Sequence, residues 1–534
     1  MCVLWRIFFG GDAGSLITAF RCLFVAVLSI SFVSCTYAGV TDKVNFRRPV
    51  LVPEPVELNF KSDVAVRLDK GVKFTIICPD KSAVGWMRKH IAKWFGFTPM
   101  VSASLDNPIS VTNTEGYVLS AVPENITVEA STLQGVRYAL YTLRQIAEPI
   151  SVGRVLQGWR MPQLKIKDEP AMKFRGVHFC CFPETTAAFL ERQIRVAAYY
   201  KFNYAVIESW GMFRSARYPF LSLKQSWMTP EETKRLAILG KELGIMLIPQ
   251  FNVFGHATGA TFSSGKHITM DYYPEYAPLF EPRGGWNWCL SNPETLKVQT
   301  EYLAEMHEAF GNPPFVHIGC DEANPPSCAS CRSADSYGRM FVNHVISIAS
   351  AMRSRGARIM MWHDMLLDEN DDRWNGFYAN GTKEIADMMQ SSFPKDAVVC
   401  DWYYGQVPES KDYPTLRHFK NLGFDVLTCP WKVENVKGSI ASQGRFVRDN
   451  GMFGMLQTIW TQFKAVWFGV IMEEASCAAW GTKFSTPYTS VKPGKPLEPR
   501  PFADHWRQCG WDMGTPEYSE TGYSQRQMSR NVSP

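Results

Sequence analysis

The chain has 534 residues, a formal net charge of +5, and a composition that is 46% hydrophobic and 20% charged. The apolar fraction is that of a packed globular protein and excludes wholesale disorder. The small net charge gives no electrostatic basis for nucleic-acid binding, which needs Lys and Arg concentrated on one face. The length exceeds one ordinary domain of roughly 100–200 residues.

The N-terminal segment predicts export. Residues 22–33 form an apolar run after Arg21. The run is too short for a bilayer span of about 20 residues, but it suits the hydrophobic region of a signal peptide. Small residues before a cleavage point at Ala38 complete the pattern. We therefore predict a signal peptide over residues 1–38 and a periplasmic, cell-surface or secreted protein.

Cysteines at two places have alternative interpretations. Residues 32–35 form an imperfect lipoprotein box, which would put a lipid anchor on Cys35. Cys328 and Cys331 form a C-x-x-C pair, but no second pair follows at zinc-finger spacing, so the signal for zinc is weak. In an oxidising compartment a local disulfide is at least as well supported. We predict no metal site and no cofactor.

Residues 39–168 are predicted to form a small α+β domain, because short apolar strands alternate with two amphipathic helices. Ser131 can cap the second helix, and Pro170 breaks the periodicity after the domain. The predicted strands and helices lie at 72–78, 81–95, 117–121, 126–130 and 132–147.

Residues 169–486 are predicted to form a (β/α)8 TIM barrel of the α/β class, because apolar strands alternate with amphipathic stretches. An open doubly wound sheet would be expected to carry a glycine-rich phosphate turn, and the sequence has none. Residues 487–534 form a C-terminal extension rich in Pro, Ser and charge. The eight candidate strands are Phe174–Phe179, Tyr204–Glu208, Met246–Phe251, Phe315–Cys320, Arg358–Trp362, Ala397–Trp402, Asp425–Cys429 and Met455–Trp460.

Two adjacent carboxylates end the fourth barrel strand. Asp321 and Glu322 follow the apolar run Val316–Cys320. TIM barrels place their active sites at the carboxyl ends of the strands, where both side chains could reach the barrel mouth. Two carboxylates in one pocket push their pKa values apart, so that one can stay protonated and act as an acid. A pair of solvated loop acids is the alternative, and Asp368-Glu369 is another such dipeptide.

The segment His317-Ile318-Gly319-Cys320-Asp321-Glu322 resembles the His-x-Gly-Gly-Asp-Glu hallmark of glycoside hydrolase family 20, the β-N-acetylhexosaminidases. The resemblance extends over about residues 45–480, and further motifs follow in the family's order. They are Phe174-Arg175-Gly176, Pro249–His256, Met361-Trp362-His363-Asp364, Trp402 and Trp460-Thr461-Gln462.

The resemblance implies a TIM-barrel hydrolase in which the 2-acetamido oxygen of the substrate is the nucleophile. Glu322 would protonate the leaving oxygen and then activate water. Asp321 would hold the acetamido N–H and stabilise the positive intermediate. His256 would hydrogen-bond near Glu322 and help to set its proton affinity.

The resemblance also implies a set of substrate-binding residues. Arg175 would grip the hydroxyls of the non-reducing sugar with its fork of donors. Trp362, Trp402 and Trp460 would wall the acetamido pocket, where they exclude water and pack the methyl group. Each of these residues also has a purely structural interpretation, as a salt-bridge partner or as part of the core.

Several positions depart from the family pattern. Gln250 and Gln462 stand where the family has acids, and an amide carries no charge. Glu208 is the candidate to replace the acidic group behind His256. The tyrosine that caps the acetamido oxygen has no clear counterpart after strand seven, and Tyr404 is the candidate that takes its place, with Tyr403 and Trp431 as alternatives. These changes suggest an altered hydroxyl-binding shell.

Together these features predict an exo-acting glycoside hydrolase that releases terminal β-linked N-acetylglucosamine or N-acetylgalactosamine from a glycan or glycoconjugate. A barrel glycosidase of altered specificity, acting on a disaccharide unit or a modified amino sugar, is the first alternative. A carbohydrate-binding relative with weak catalysis is the second. No nucleic-acid partner is predicted, and the sequence indicates no particular oligomeric state.

Overall fold

The structure, a computed structural model, describes residues 44–483 except for 109, 112, 153–154, 182–184, 225, 258–268, 270–272, 283–284, 405–411, 432–438 and 461–464. The predicted signal peptide, its Cys35 and the predicted extension 487–534 lie outside the described residues, so these remain predictions. In the described part of the chain, no helix is both long and apolar enough to cross a bilayer.

The first domain is a mixed seven-stranded sheet covered by two helices, Ser82–Phe95 and Leu133–Ile146. The strand order is β1-β7-β4-β5-β2-β3, and β6 pairs with β7. Thr132 caps the second helix by accepting a hydrogen bond from the Gly135 N–H, so the expected cap at Ser131 is wrong by one residue. The strands are β1 Glu57–Leu68, β2 Lys73–Ile77, β3 Met100–Ser104, β4 Tyr117–Val122, β5 Asn125–Ala130, β6 Glu148–Val152 and β7 Val155–Asp168.

The second domain is a closed barrel of eight parallel strands in chain order, which confirms the predicted fold class. The strands are buried along their length because the helices cover the outside and side chains fill the inside. They are β8 Phe174–Cys181, β9 Tyr204–Ser209, β10 Met246–Gln250, β11 Phe315–His317, β12 Arg358–Trp362, β13 Val398–Tyr403, β14 Asp425–Pro430 and β15 Gly454–Gln457.

Several helices in the described part of the barrel begin where the sequence supplies a cap. The hydroxyl of Thr229 accepts from the Glu232 N–H, and Asn292 does the same for Glu294, each one residue before a proline at the first helical position. The α-helices are Ala187–Tyr199, Pro230–Leu243, Pro293–Ala309, Ala329–Arg332, Tyr337–Arg353, Lys383–Ser391, Pro414–Asn421, Ser439–Asp449 and Ala465–Trp480.

The barrel has an inner core that is separate from the core between strands and helices. Inward-facing side chains of alternate strand positions, such as Phe174, Val206 and Ile248, form this inner cluster. The filled interior leaves the carboxyl ends of the strands as the place for a site.

Buried polar contacts join the two domains. The Lys201 ammonium lies 2.8 Å from the Asp168 carboxylate, and both side chains are buried. Trp86 Nε1 donates to the Glu242 carbonyl at 2.9 Å, and the Tyr141 hydroxyl donates to the Leu243 carbonyl at 2.9 Å. The small domain therefore packs against the barrel through an ion pair and hydrogen bonds that are buried or partly buried.

Candidate active site

The turn after β11 brings both predicted carboxylates to the barrel mouth. Gly319, Cys320 and Glu322 have φ values of 65°, 78° and 47°, so the chain leaves the strand sooner than the sequence suggested. A Cβ on Gly319 would lie 2.0 Å from Asn252 Oδ1, which leaves room only for glycine. Left-handed backbone at non-glycine residues is uncommon and tends to occur at functional sites.

His256 joins the two carboxylates. Its Nε2 lies 3.3 Å from an oxygen of Asp321 and 3.3 Å from an oxygen of Glu322. The Glu322 side chain is 50% exposed, whereas that of Asp321 is 10% exposed. The structure thus brings the three predicted catalytic residues together, with one carboxylate facing solvent and the other held inside. Their catalytic roles remain predictions.

Two tryptophan rings pack against the imidazole of His256. The ring of Trp286 lies 4.1 Å from it at an angle of 51°, and that of Trp210 lies 5.8 Å away at 87°. Trp286 Nε1 also donates to the backbone carbonyl of Glu322 at 2.7 Å. Sequence analysis missed Trp286, because it belongs to a loop without a motif and only the fold brings it to the carboxylates.

A buried aspartate holds the backbone of the proposed acid. Asp364 Oδ2 accepts hydrogen bonds from the Glu322 N–H at 2.8 Å and from Asn380 Nδ2 at 2.9 Å, and Oδ1 accepts from Trp402 Nε1 at 3.1 Å. Burial and the nearby charge of Asp321 raise the pKa of Asp364 to about 7, although these three donors oppose the shift. Asp364 belongs to the motif Met361-Trp362-His363-Asp364, but no role was predicted for it.

An aromatic pocket lies beside the carboxylates. The ring of Trp402 stacks on that of Tyr378 at 4.0 Å and lies 5.1 Å from that of Tyr404. Trp460 Nε1 donates to the Tyr404 hydroxyl at 2.5 Å. Trp362 is fully buried beneath Trp460, with ring centroids 5.3 Å apart, so it supports the wall rather than lining it. Sequence analysis did not single out Tyr378.

The Tyr404 hydroxyl stays protonated in this pocket. Burial, and to a smaller extent the charge of Asp321, raise its pKa well above the usual value, although hydrogen bonds from Thr458 and Trp460 oppose the shift. A neutral hydroxyl can donate to a carbonyl oxygen. Of the sequence candidates for this position, Tyr404 lies beside the other pocket aromatics and Trp431 lies next to it, with ring centroids 5.5 Å apart, whereas Tyr403 is buried in the outer core.

Glu208 is buried behind the site, and its role as the acidic group behind His256, or in substrate binding, stays a prediction. Its oxygens contact His178 Nε2 at 3.0 Å and accept from Asn252 Nδ2 at 2.9 Å and Cys180 Sγ at 3.3 Å. Burial raises the pKa of Glu208, but the hydrogen bonds from His178 and Asn252 and the charge of His256 outweigh it and lower the pKa to about 2. Glu208 is therefore a buried anion behind the site.

Of the two glutamines that depart from the family pattern, the structure describes Gln250. Gln250 is buried at the end of β10, where Nε2 donates to Asn252 Oδ1 at 3.2 Å. Its Oε1 has no hydrogen-bond partner among the described residues. Gln462 lies outside the described residues.

The structure does not bring Arg175 together with the three predicted catalytic residues, and its role in sugar binding stays a prediction. It is the second residue of β8, at the amino end of the strand, and its side chain is 1% exposed. Phe174 faces the barrel interior, and Arg175 therefore faces outward. Its donors are used by Glu115 at 2.9 and 3.0 Å, by the Tyr138 hydroxyl at 2.7 Å, and by two backbone carbonyls.

Arg175→Met is expected to lower the free energy of unfolding by about 2–3 kcal/mol, because the Glu115 carboxylate would lose its ion-pair partner. The loss is moderate because this carboxylate is partly exposed to water. KM for an aryl glycoside should not change. Urea unfolding and steady-state kinetics measure the two effects. Arg353→Met, which removes an arginine from an exposed pair with Asp396, is the matched control and should cost less than about 1 kcal/mol. A KM raised several-fold at unchanged stability would contradict this placement.

Two clusters at the site also have the proximity of metal ligands. They are His178, Cys180 and Glu208, and His256, Asp321 and Glu322. In both, ordinary histidine–carboxylate contacts already account for the arrangement. The contacts among these side chains therefore do not by themselves indicate a metal ion.

Two family models match the chain. "Glycosyl hydrolase family 20, domain 2" matches residues 48–169, which contain the small domain. "Glycosyl hydrolase family 20, catalytic domain" matches residues 157–434, which contain most of the barrel.

Similar proteins carry related names. The chain is 23% identical over 363 residues to "Beta-hexosaminidase" from Vibrio furnissii, covering 59% of this chain and 57% of that protein. It is 28% identical over 229 residues to "Beta-hexosaminidase subunit beta" from Entamoeba histolytica, covering 40% of this chain and 39% of that protein. The matches thus span about half the length of these relatives or less.

Solved structures share the fold at low identity. The β-N-acetylhexosaminidase from Bacteroides fragilis aligns with a TM-score of 0.61 at 18% identity, over 82% of this chain and 92% of that one. The exo-β-N-acetylglucosaminidase from Vibrio harveyi aligns with a TM-score of 0.60 at 15% identity, over 88% and 78%. Because the catalytic-domain model matches more than half of the sequence, the chain belongs to glycosyl hydrolase family 20.

Proposed function

We propose that the protein is an exo-acting glycoside hydrolase that releases terminal β-linked N-acetylhexosamine from glycans by substrate-assisted, retaining catalysis. One observation carries the proposal: Asp321 and Glu322 both approach the same nitrogen of His256, and their ligand oxygens lie within 4.8 Å of each other. Carboxylates that flank a sugar ring as acid and nucleophile are about 5–5.5 Å apart, and those of inverting enzymes are farther apart. Two carboxylates this close together would lie on the same side of a bound sugar ring. Such a pair suits one acid and one group that orients the acetamido substituent.

Glu322 is suited to the acid role because its side chain reaches solvent and its backbone is held by Asp364 and Trp286. Its proton passes to the glycosidic oxygen as the bond between that oxygen and the anomeric carbon breaks. The acetamido oxygen forms the new bond to the anomeric carbon. Glu322, now a carboxylate, then takes a proton from the water that opens the cyclic intermediate. Two displacements at one carbon retain the configuration.

Asp321 is suited to the orienting role. Its Oδ1 is buried and has no hydrogen-bond partner among the described residues, which leaves an acceptor for the acetamido N–H. Its negative charge stabilises the positive ring that forms. The neutral Tyr404 hydroxyl can donate to the acetamido oxygen, while Trp402 and Trp460 exclude water and pack the methyl group.

Two further observations support this proposal. The similar proteins named above are called β-hexosaminidases or β-N-acetylhexosaminidases. The signal peptide predicted over residues 1–38 would bring the enzyme to glycans outside the cytoplasm, and a lipid on Cys35 would keep it at the cell surface.

Nitrophenyl β-N-acetylglucosaminide and β-N-acetylgalactosaminide test the proposal against nitrophenyl β-glucoside, which lacks the acetamido group. We expect turnover of the acetamido sugars alone, with strong inhibition by an N-acetylglucosamine-derived thiazoline. The thiazoline mimics the cyclic intermediate, and transition-state-like ligands bind far more tightly than substrates. Equal cleavage of the glucoside, or activity insensitive to the thiazoline, would reject substrate assistance.

Gln250 favours a second candidate, a hydrolase of the same chemistry with altered sugar specificity. An unpaired amide oxygen and an absent charge in the buried shell would suit a sugar with a different hydroxyl pattern or a substituent. On the same panel, poor turnover of both simple acetamido sugars, together with inhibition by the thiazoline, would favour this candidate.

A further inference from the structure

Outside the proposed sugar site, three thiols and one carboxylate converge behind the loop that bears Glu322. We call this group the cysteine pocket; it consists of Glu281, Cys289, Cys328 and Cys331. One ligand atom from each residue lies within 4.8 Å of the others. Three of the four residues are buried, and Cys328 is partly exposed. The C-x-x-C pair contributes only two of these groups, and the fold supplies the rest.

The distances within the cysteine pocket match tetrahedral coordination. The Sγ atom of Cys289 lies 3.8 Å from that of Cys328 and 3.8 Å from that of Cys331. A Zn–S bond of about 2.3 Å places two thiolates of a tetrahedron about 3.8 Å apart. Two of the three sulfur–sulfur distances thus match the spacing of thiolates bound to one zinc ion, and the third pair lies within 4.8 Å.

Backbone and hydroxyl donors are directed at the sulfurs. The Cys331 N–H donates to Cys328 Sγ at 3.2 Å across the C-x-x-C turn, and Ser291 Oγ lies 3.0 Å from Cys331 Sγ. Donors of this kind stabilise thiolate charge and orient metal ligands.

Glu281 is held against the sulfur atoms by donors from the neighbouring loop. The residue is 3% exposed. Its Oε2 accepts hydrogen bonds from the Ser327 N–H at 2.7 Å, the Ser327 hydroxyl at 3.0 Å and the Cys328 N–H at 2.6 Å. The Cys331 thiol also hydrogen-bonds to this carboxylate. A metal ion that displaced the thiol proton would bind the same two groups.

A disulfide accounts for the cysteine pocket less well. The sequence left a Cys328–Cys331 disulfide open, but the structure has all three thiols free. Three thiols cannot all pair, so any disulfide would leave one of the three sulfur atoms unpaired. A metal ion uses all four groups at once.

We propose that Glu281, Cys289, Cys328 and Cys331 bind one Zn²⁺ ion in a closed, structural site. Thiolate-rich tetrahedral sites select zinc among the common divalent metals, and four protein ligands leave no open position for catalysis. The proposal does not depend on the hydrolase activity, because the ion takes no part in the sugar chemistry.

The zinc site would join two segments that carry the proposed active site. One segment contains Trp286 and Asn287 and ends near Cys289. The other runs from Glu322 through Asn324 to Cys328. Between them, Trp286 donates to the Glu322 carbonyl, and Asn287 and Asn324 exchange hydrogen bonds at 2.6 and 3.1 Å. The metal would therefore hold the loop that positions the acid.

Metal content of the full chain, purified under reducing conditions without chelator, tests the proposal by mass spectrometry of the elements. We expect one zinc per chain. Cys289→Ser should weaken zinc affinity at least about 100-fold in competition with a chromogenic chelator. Cys78→Ser, which alters a buried thiol of the small domain, is the matched control and should keep the zinc.

Two further measurements keep the test decisive if Cys289→Ser does not fold. Glu281→Gln should retain the fold and weaken zinc binding. Cobalt bound in place of zinc should show thiolate-to-metal charge transfer and tetrahedral visible bands. A wild-type chain without stoichiometric zinc, or a Cys328–Cys331 disulfide in the chain purified without reductant, would overturn the proposal. Zinc binding in a chain without glycosidase activity would leave this inference intact and reject the proposed function alone.

Discussion

Glu322→Gln is expected to lower kcat on an unactivated N-acetylhexosaminide by about 10²–10⁴-fold, the contribution typical of a positioned acid–base group. Glutamine keeps the size of the side chain but has no carboxyl proton for the leaving oxygen. The loss should be smaller for a nitrophenyl glycoside, since nitrophenolate leaves without protonation. Steady-state kinetics on both substrates measures the difference.

The control for this substitution is Glu369→Gln, which alters an exposed glutamate in the other Asp-Glu dipeptide of the barrel loops. It should leave kcat and KM unchanged. Full activity of Glu322→Gln on the unactivated glycan would show that another residue is the acid. His256, which contacts the same carboxylate, would then be the first residue to test.

Asp321→Asn is expected to lower kcat by about 10²–10³-fold, similar to the loss of one preorganised group that stabilises developing charge. The substitution removes the negative charge beside the positive intermediate. It also replaces one carboxylate oxygen, a hydrogen-bond acceptor, with an NH₂ group that donates. This donor would face either the acetamido N–H or His256. The affinity for a thiazoline should fall with kcat, because the inhibitor uses the same contact.

Asp368→Asn is the matched control for the orienting residue. Its carboxylate accepts a hydrogen bond from the Asn370 N–H in a surface loop, so activity should not change. If Asp321→Asn lost activity while thiazoline affinity stayed constant, Asp321 would not contact the acetamido group. Its role would then be limited to the electrostatic effect of its charge on Glu322 and Asp364.

Much of the barrel was predictable because its strands are short apolar runs separated by amphipathic helices. All eight predicted barrel strands occur, and their starts agree to within one residue. Strand four is shorter than predicted, since Gly319 and Cys320 adopt left-handed backbone that the apolar pattern does not reveal. In the small domain, the long strands β1 and β7 were missed, because their half-exposed faces carry many polar residues.

The site residues were predictable where a contiguous sequence motif contains them. Asp321, Glu322 and His256 were placed from adjacent motif residues, and the structure brings them together. For Arg175, the motif identifies the residue but not the face of the strand on which its side chain lies. One step along a strand reverses the side-chain direction, and Arg175 consequently meets Glu115.

The sequence by itself determined the fold class, the family resemblance and the identity of the two carboxylates, because these depend on periodicity and on contiguous motifs. Only the tertiary structure decided what surrounds them. Trp286 reaches Glu322 from 36 residues away, and Asp364 holds the Glu322 N–H from 42 residues away. Cys289 joins the C-x-x-C pair from 39 residues away. Such contacts form only when strand ends and loops meet at one face of a closed barrel, and no local pattern encodes which loops will touch.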